Sequence, residues 1–539
     1  MQDVADYVIV GAGSAGCVVA NRLSADPRNR VLVLEAGGSD LSPWVRMPIG
    51  YGKTFYHADM NWRYVSEAEP GLGGRTTYWP RGRVLGGSSS INAMVFIRGQ
   101  REDFDGWERL GNPGWGFGDV LPAFKRMEDN SAGADEWRAT GGPLGVSCVA
   151  DRVHPLCANY LAAGVDAGLM LNPDFNGATQ EGVGTYQITT RNGFRSSAAT
   201  AYLRPAMRRS NLNVVTRAQV TRILFEGRRA VGVEYQRGNE LHTVKVRGEV
   251  ILSAGAVNSP QLLQLSGVGD PMLLAGLGIP VVHAAKGVGE NLQDHLGFDY
   301  LYRSRRPTLN DQLRPWWGRL MVGAHYLFNR GGPLSLSVNQ GGGFFRTNPA
   351  RERPNMQLYF SPLSYTKAVP GKRQLMRPDP FPGFMLGVSN CHPTSRGHIR
   401  IRSADPFQAP SIQPNYLSTA EDLEELVEAA AFLRKFAAQA PLAELIDEEL
   451  QPGTPLETRA EIEEDIRQRS GSIFHASGTC AMGPDPASAV VDARLRVHGL
   501  EGLRVVDASI FPRLTAGNIN APTIMVGERG ADFLIADRR

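Results

Sequence analysis

The chain opens on a short apolar run, Tyr7 to Val10, followed by three closely spaced glycines, a stretch of helical periodicity, and a second apolar run, Val31 to Leu34, closed by one acid. Runs of about four apolar residues bounded by turn residues suit strands buried on both faces, so the order reads as strand, tight turn, helix, strand. Gly11 and Gly13 permit the turn and a close backbone approach to a pyrophosphate, and Gly16 lets helix and strand pack. The helix entered through Ser14 and Ala15 aims its free amides at phosphates. Glu35, with Ala36 beside it, lies about 20 residues beyond Gly16, where a carboxylate accepts hydrogen bonds from the ribose of an adenosine and disfavours a 2′-phosphate.

Beyond this dinucleotide cradle the pattern changes. Gly82 to Asn92, GRVLGGSSSIN, contains Arg83, Gly86, Gly87 and Ser88 and predicts a loop delivering amides and hydroxyls to a helix N-terminus, an anion or flavin-edge site. An ordinary capped turn explains the same residues equally well. Residues 212–236 alternate in strand fashion about a turn at Glu226 and Gly227, and 248–252 is a buried strand leading into Ser253 to Ala256. A helix is expected over Asn258 to Ser266, and a glycine-marked polar loop over Gly287 to His295.

From about 297 to 467 the chain is rich in aromatics and proline, with a helix near Trp316 to Phe328, strands at Met356 to Phe360, Gly383 to Val388 and His398 to Arg402, and an acidic helix from Ala420 to Gln439. This reads as a mostly antiparallel sheet with helices on one face. Within it RPWWGRLMVGAHYLFNR is read as a buried or lid helix ahead of one lying on a membrane, because it sits inside a folded region. The last 70 or so residues return to nucleotide-domain character, with a strand ending at Asp507 and a terminal helix over Ala521 to Ile535. A polar pair, Asn518 and Asn520, precedes that helix.

Composition narrows the classes. A chain of 539 residues that is 42% hydrophobic can bury a large core in two or more domains. Its net charge of +3, with acids and bases interspersed, gives no footprint for nucleic acid. No apolar run approaches the roughly 18 to 20 residues needed to span a bilayer, and strand one follows the first residues too closely for a signal peptide. Five widely spaced cysteines without CxxC spacing fit a reducing compartment, so the cytoplasm is expected, and the histidines form no HxxxH pair, so no metal is expected.

Several long segments, in order, resemble the glucose-methanol-choline oxidoreductase family of FAD enzymes, especially its choline dehydrogenase-like alcohol dehydrogenases: GRVLGGSSSINAMVFIRG (82–99), GAVNSPQLLQLSGVG (255–269), GVGENLQDH (287–295), and the closing HASGTCAMG, VVDASIFP and GNINAPT. The resemblance implies a mixed α/β fold: a Rossmann-like FAD-binding domain assembled from 1–155, 212–296 and 468–539, and a substrate domain from 156–211 and 297–467. Carried over by position, Gly11, Gly13, Ser14, Ala15, Gly16, Glu35 and Ala36 hold the ADP half, with Val220 against the adenine. Arg83, Gly86, Gly87, Ser88, Asn92, Ala93, Met94, Val95 and Ala254 serve the flavin side, Asp507 and Ala508 the pyrophosphate or ribityl region, and Asn520, Pro522 and Thr523 the pyrimidine edge. Ile91 stands where covalently flavinylated relatives carry histidine, so the FAD is expected to be non-covalent.

The resemblance also implies the reaction. His475 is expected to take the hydroxyl proton as hydride moves from the α-carbon to flavin N5, because histidine is the commonest base near neutral pH, and Asn520 is expected to hold the substrate oxygen. The expected substrate is a primary alcohol, aliphatic or benzylic, and the acceptor a quinone or other carrier. An oxidase releasing peroxide, and a non-redox hydroxynitrile-lyase-like enzyme, are the alternatives on this fold. An NAD-dependent dehydrogenase and a non-catalytic flavin module are disfavoured. Phe55, Tyr56, Phe96, Trp316, Trp317, Tyr359 and Phe360 suggest an apolar pocket, with core packing an equal reading for each.

Overall fold

The computed structural model describes residues 4–366 and 377–538. The strands Val4–Val10 and Val31–Glu35 pair in parallel, and Leu212–Thr216 extends them on one side. On the other side lies Glu240–Leu252, a strand long enough to take different partners along its two halves within the same sheet. Its second half runs parallel to Val4–Val10 and to Leu503–Val505 near the C-terminus. Its first half turns back as an antiparallel meander with Arg229–Arg237 and Ala218–Glu226. The central parallel strands bury nearly every side chain, Val31–Glu35 at all five positions, as strands covered on both faces do. One helix is α1 (Ser14–Leu23), another α2 (Gly255–Leu265), in which Pro260 lies inside.

A second sheet takes Gly182–Thr185, Gly341–Phe345, Met356–Ser361, Gly383–Asn390, Leu296–Ser304 and Ile446–Gln451 in antiparallel order, with Gly471–Ser472 paired to Leu296 and Gly297. The long helix Ala420–Ala437 packs over it through Leu426, Ala430, Leu433 and Phe436. The mixed α/β architecture with a mostly antiparallel second sheet is therefore as the sequence predicts. The helix α3 (Trp316–Asn329) has nearly the expected extent, but of the expected buried or lid helix the buried alternative is excluded: only Gly318 and Tyr326 are buried. Among the described residues no helix is long and apolar enough to cross a membrane. The terminal helix α4 (Asn520–Asp537) returns to the first sheet and packs along α1.

Candidate active site

The two sheets meet over a cavity of about 610 Å³. At its floor, the chain leaves Val10 through Gly11, whose φ of +97° only glycine adopts freely and whose added Cβ would lie 2.5 Å from the Ser253 carbonyl oxygen. A Cβ on Gly16 would lie 2.0 Å from the Gly11 oxygen, and one on Gly87 would lie 2.8 Å from the Gly13 Cα. Strand end, helix start and the 82–92 loop are thus drawn to one point that side chains would fill. Neither α1 nor α4 is capped by a side chain at its N-terminus. Buried helix starts without caps carry unpaired amides and a positive dipole end, and both begin at the cavity, as a diphosphate requires.

Glu35 ends its strand with one oxygen accepting from the Ala12 amide at 2.9 Å and the other from the Gly37 amide at 2.7 Å. Burial pushes its pKa to about 7, against the pull of these amides and of Arg83. Each oxygen retains a lone pair for a ribose hydroxyl. Val220 reaches the wall where the antiparallel ladder breaks between Val220 and Arg222. Asp507 acts as a tie: its carboxylate accepts from the Gly255 amide at 2.8 Å, Ser259 Oγ at 2.6 Å and the Ser509 amide at 2.8 Å. The side chain is committed to these partners while Asp507 and Ala508 together form part of the wall. Glycine cradle, uncapped helices and ribose acid fit an adenine dinucleotide with a flavin.

The reactive end is built around His475. Its loop is held by Asp294, which accepts from the His475 amide at 2.6 Å, from Ser472 Oγ and from Tyr416 OH. Phe474, at a φ of +74°, is fixed by Arg81 Nη2 donating to its carbonyl. The His475 ring then enters a directional chain of hydrogen bonds. The Cys391 carbonyl can only accept, so His295 Nε2, 2.9 Å away, donates to it. Burial pushes the pKa of His295 down to about 3, which keeps the ring neutral and leaves Nδ1 an acceptor. His475 Nδ1, 2.9 Å from that atom, must therefore be the donor, and His475 Nε2 carries the lone pair.

The chain continues beyond Nε2. Asn518 Nδ2 donates to it at 3.1 Å, and Asn518 Oδ1 accepts from Gln357 Nε2 at 3.1 Å. Gln357 Oε1 accepts from Tyr359 OH at 2.7 Å, which fixes that amide as well. Burial first, then His295 and Arg81, hold the His475 pKa well below its ordinary value, so the ring is neutral. The arrangement can take one proton at Nε2 from a group in the cavity.

Of the residues expected at the cofactor, Gly11, Gly13, Ser14, Ala15, Glu35, Ala36, Gly87, Ser88, Asn92, Ala93, Met94, Val95, Val220, Ala254, Asp507, Ala508, Asn520 and Thr523 line the cavity. Gly16, Arg83, Gly86 and Pro522 stand behind the wall: Gly86 donates its amide to Ala12, and Arg83 lies over the Trp62 ring. The serine loop forms a short 3-10 turn, Gly87–Ser90, with no α-helix to serve. Ser89 and Ser90 turn their hydroxyls back on the Gly86 and Leu85 carbonyls.

The expected pairing of Asn520 with His475 is corrected to Asn518. Because α4 begins at Asn520, that side chain swings to α1, where its Oδ1 accepts from Ser14 Oγ at 2.9 Å; Asn518 remains in the preceding turn against the imidazole. Of the aromatic candidates, Phe55, Tyr56 and Tyr359 reach the cavity; Phe96 and Phe360 are core, and Trp316 and Trp317 are on the surface. His295, Asp294 and Gln357 went unassigned. The first two end the GVGENLQDH loop, whose length and polarity were visible, while nothing local marks Gln357.

Comparison with known proteins agrees with this geometry. The N-terminal GMC oxidoreductase profile matches residues 5–297 and the C-terminal profile residues 393–527. The chain is 44% identical to the alcohol dehydrogenase [acceptor] of Pseudomonas putida over 98% of its length and 95% of that protein's. It is 44% identical to human mitochondrial choline dehydrogenase over 99% of its length and 90% of the other's. The structure of pyridoxine 4-oxidase from Mesorbium loti superposes with a TM-score of 0.88 at 34% identity, covering 98% of each chain. With a glycine cradle, a ribose acid and a buried histidine on one cavity, this chain belongs to the GMC oxidoreductases, FAD enzymes acting on CH–OH groups.

Proposed function

We propose that the protein oxidises an uncharged primary alcohol, aliphatic or benzylic, to the aldehyde and passes the electrons to a quinone-like or other carrier in the cytoplasm. The observation that carries this reading is the hydrogen-bond chain that fixes the lone pair of His475 on Nε2. Bound FAD supplies the acceptor for the hydrogen that leaves the carbinol carbon. His475 Nε2 takes the hydroxyl proton, and the ring's new charge is shared through Nδ1–H with His295. Asn518 turns its Nδ2 hydrogens to the substrate oxygen, an amide donor that does not compete for the proton.

Around this pair, Phe55, Tyr56, Tyr78 and Phe474 form a contiguous aromatic cluster, with Phe55 and Phe474 5.3 Å apart and Tyr56 stacked on Tyr78 at 4.9 Å. All four line the cavity and favour a flat or apolar chain on the alcohol. Cofactor contacts fall to 1–155, 212–296 and 468–539, and 297–467 supplies Asn339, Tyr359, Ser361 and Tyr365 to the substrate roof, whereas within 156–211 the segment from Ala198 to Ala206 packs in the core of the first sheet. Ile91, a cavity residue, offers no atom for a covalent flavin bond. The free cysteines, four of them buried, suit a reducing compartment.

A stopped-flow screen under nitrogen tests the reading. Benzyl alcohol and medium-chain primary alcohols should bleach the flavin and choline should bleach it far more slowly. Faster bleaching by choline would overturn the substrate class, and an unbleached flavin with every alcohol would overturn the redox reading. Admitting air afterwards separates the acceptors: persistence of the reduced form supports the dehydrogenase, and rapid reoxidation with peroxide replaces it with an oxidase.

A further inference from the structure

Large apolar side chains on a protein surface are ordinarily scattered, yet here six of them stand on one helix. Trp316, Trp317, Leu320, Met321, Leu327 and Phe328 of α3 are all exposed, Trp316 at 72% and Phe328 at 86%. At about 100° per residue they span an arc of roughly 140° on one side of the helix. Gly318 and Tyr326, its buried residues, lie on the opposite side. A Cβ on Gly318 would lie 2.3 Å from the Gln312 carbonyl oxygen, and Tyr326 OH donates to the Gly193 carbonyl at 2.9 Å. The helix is therefore amphipathic in the inverted sense: its polar and small face is held by the protein and its apolar face is turned outward.

Charge borders the apolar arc. From Gln312 to Arg330 there is no acidic residue. Arg319 flanks one edge and His325 the other, Arg314 precedes the first turn, and Arg330 ends the last, its guanidinium over the Phe194 and Tyr326 rings. Among the described residues none of these three arginines makes a salt bridge. The surface continues through Lys53, whose pKa is lowered by burial and then by Arg319 and Arg377, and whose Nζ lies 5.8 Å from the centre of the exposed Trp44 ring.

We infer that the outward face of α3 docks the enzyme on the surface of an anionic lipid bilayer, the helix lying in the interface plane. Tryptophans prefer that interface, leucine and phenylalanine reach the acyl boundary, and the flanking arginines meet anionic headgroups. A second copy of the chain is a poorer occupant, because a two-fold contact would set the same unpaired arginines against their own images. The helix packs on Leu309–Leu313, whose Leu309 and Leu313 join a cluster with Tyr51. Tyr51 also lines the alcohol cavity, so the docked helix is joined through that cluster to the cavity wall.

The test is flotation of the FAD-loaded enzyme with vesicles of phosphatidylcholine alone or with about 30% phosphatidylglycerol. Wild type should float with the anionic vesicles and be released by about 0.5 M salt. The combined Trp316→Ser, Leu320→Ser and Phe328→Ser variant should partition at least about tenfold less while its alcohol-dependent reduction of a soluble dye is unchanged. Arg319→Glu with Arg330→Glu should abolish the preference for phosphatidylglycerol. The proposal is overturned if wild type stays unbound with both vesicles, if the triple variant floats as well as wild type, or if the triple substitution instead splits a dimer of the wild-type chain.

Discussion

Replacing His295 by leucine removes the only acceptor that the chain of hydrogen bonds gives to His475 Nδ1, 2.9 Å away. A buried N–H left without a partner costs about 1–3 kcal/mol. With Asn518 Nδ2 donating to Nε2, the proton stays on Nδ1, and the charge that develops on the ring as Nε2 takes the alcohol proton finds no acceptor at Nδ1–H. At about 1.4 kcal/mol per tenfold, the rate of flavin reduction at saturating alcohol should fall about 5- to 150-fold. His295→Asn is the companion variant, because Oδ1 of asparagine sits near the position of Nδ1 and accepts from His475. It should stay within about tenfold of wild type. The assay is anaerobic stopped-flow reduction with flavin content measured on the same samples. A leucine variant that reduces as fast as wild type, or an asparagine variant as slow as leucine, would refute the role of His295 as the acceptor at Nδ1.

Further outcomes follow from the same geometry. Asn518→Ala should slow flavin reduction about 10- to 100-fold by removing the donor to the substrate oxygen, whereas Asn520→Ala should leave that rate near wild type and weaken FAD retention through loss of the Ser14 contact; reversal of the two phenotypes in stopped-flow and dialysis experiments would restore Asn520 to the reactive end. His295, with a pKa near 3 when folded and about 6.5 as an ordinary imidazole, binds fewer protons in the folded state, so its share of stability is complete above about pH 6.5 and is lost as pH falls toward about 3. Thermal melts should therefore show wild type losing about 1.5 kcal/mol more than His295→Asn between pH 6.5 and 5, and equal losses would contradict a neutral buried ring.

The cradle was legible because its signal is local: Gly11, Gly13 and Gly16 sit at a spacing that only a strand, turn and helix satisfy, and Glu35 closes the next strand. The second sheet was legible in the short strand-like runs at Met356–Phe360 and Gly383–Val388, which the fold buries at nearly every position. Asn518 was not separable from Asn520 because both are amides in one glycine-led turn, and the choice depends on the residue at which α4 begins its first turn. His295 meets His475 across 180 residues, a contact without local trace. The extent of α3 was visible in its periodicity, but an apolar arc reads the same whether it faces a core or a bilayer, and only the tertiary fold shows that Gly318 and Tyr326 are the buried side.

The central claim is that His475 Nε2 receives the alcohol proton. It is tested most directly by mixing FAD-loaded His475→Ala with a reactive alcohol under nitrogen and following the flavin absorbance. The account predicts that FAD remains bound and its reduction slows by about a hundredfold or more. Reduction at the wild-type rate would contradict it.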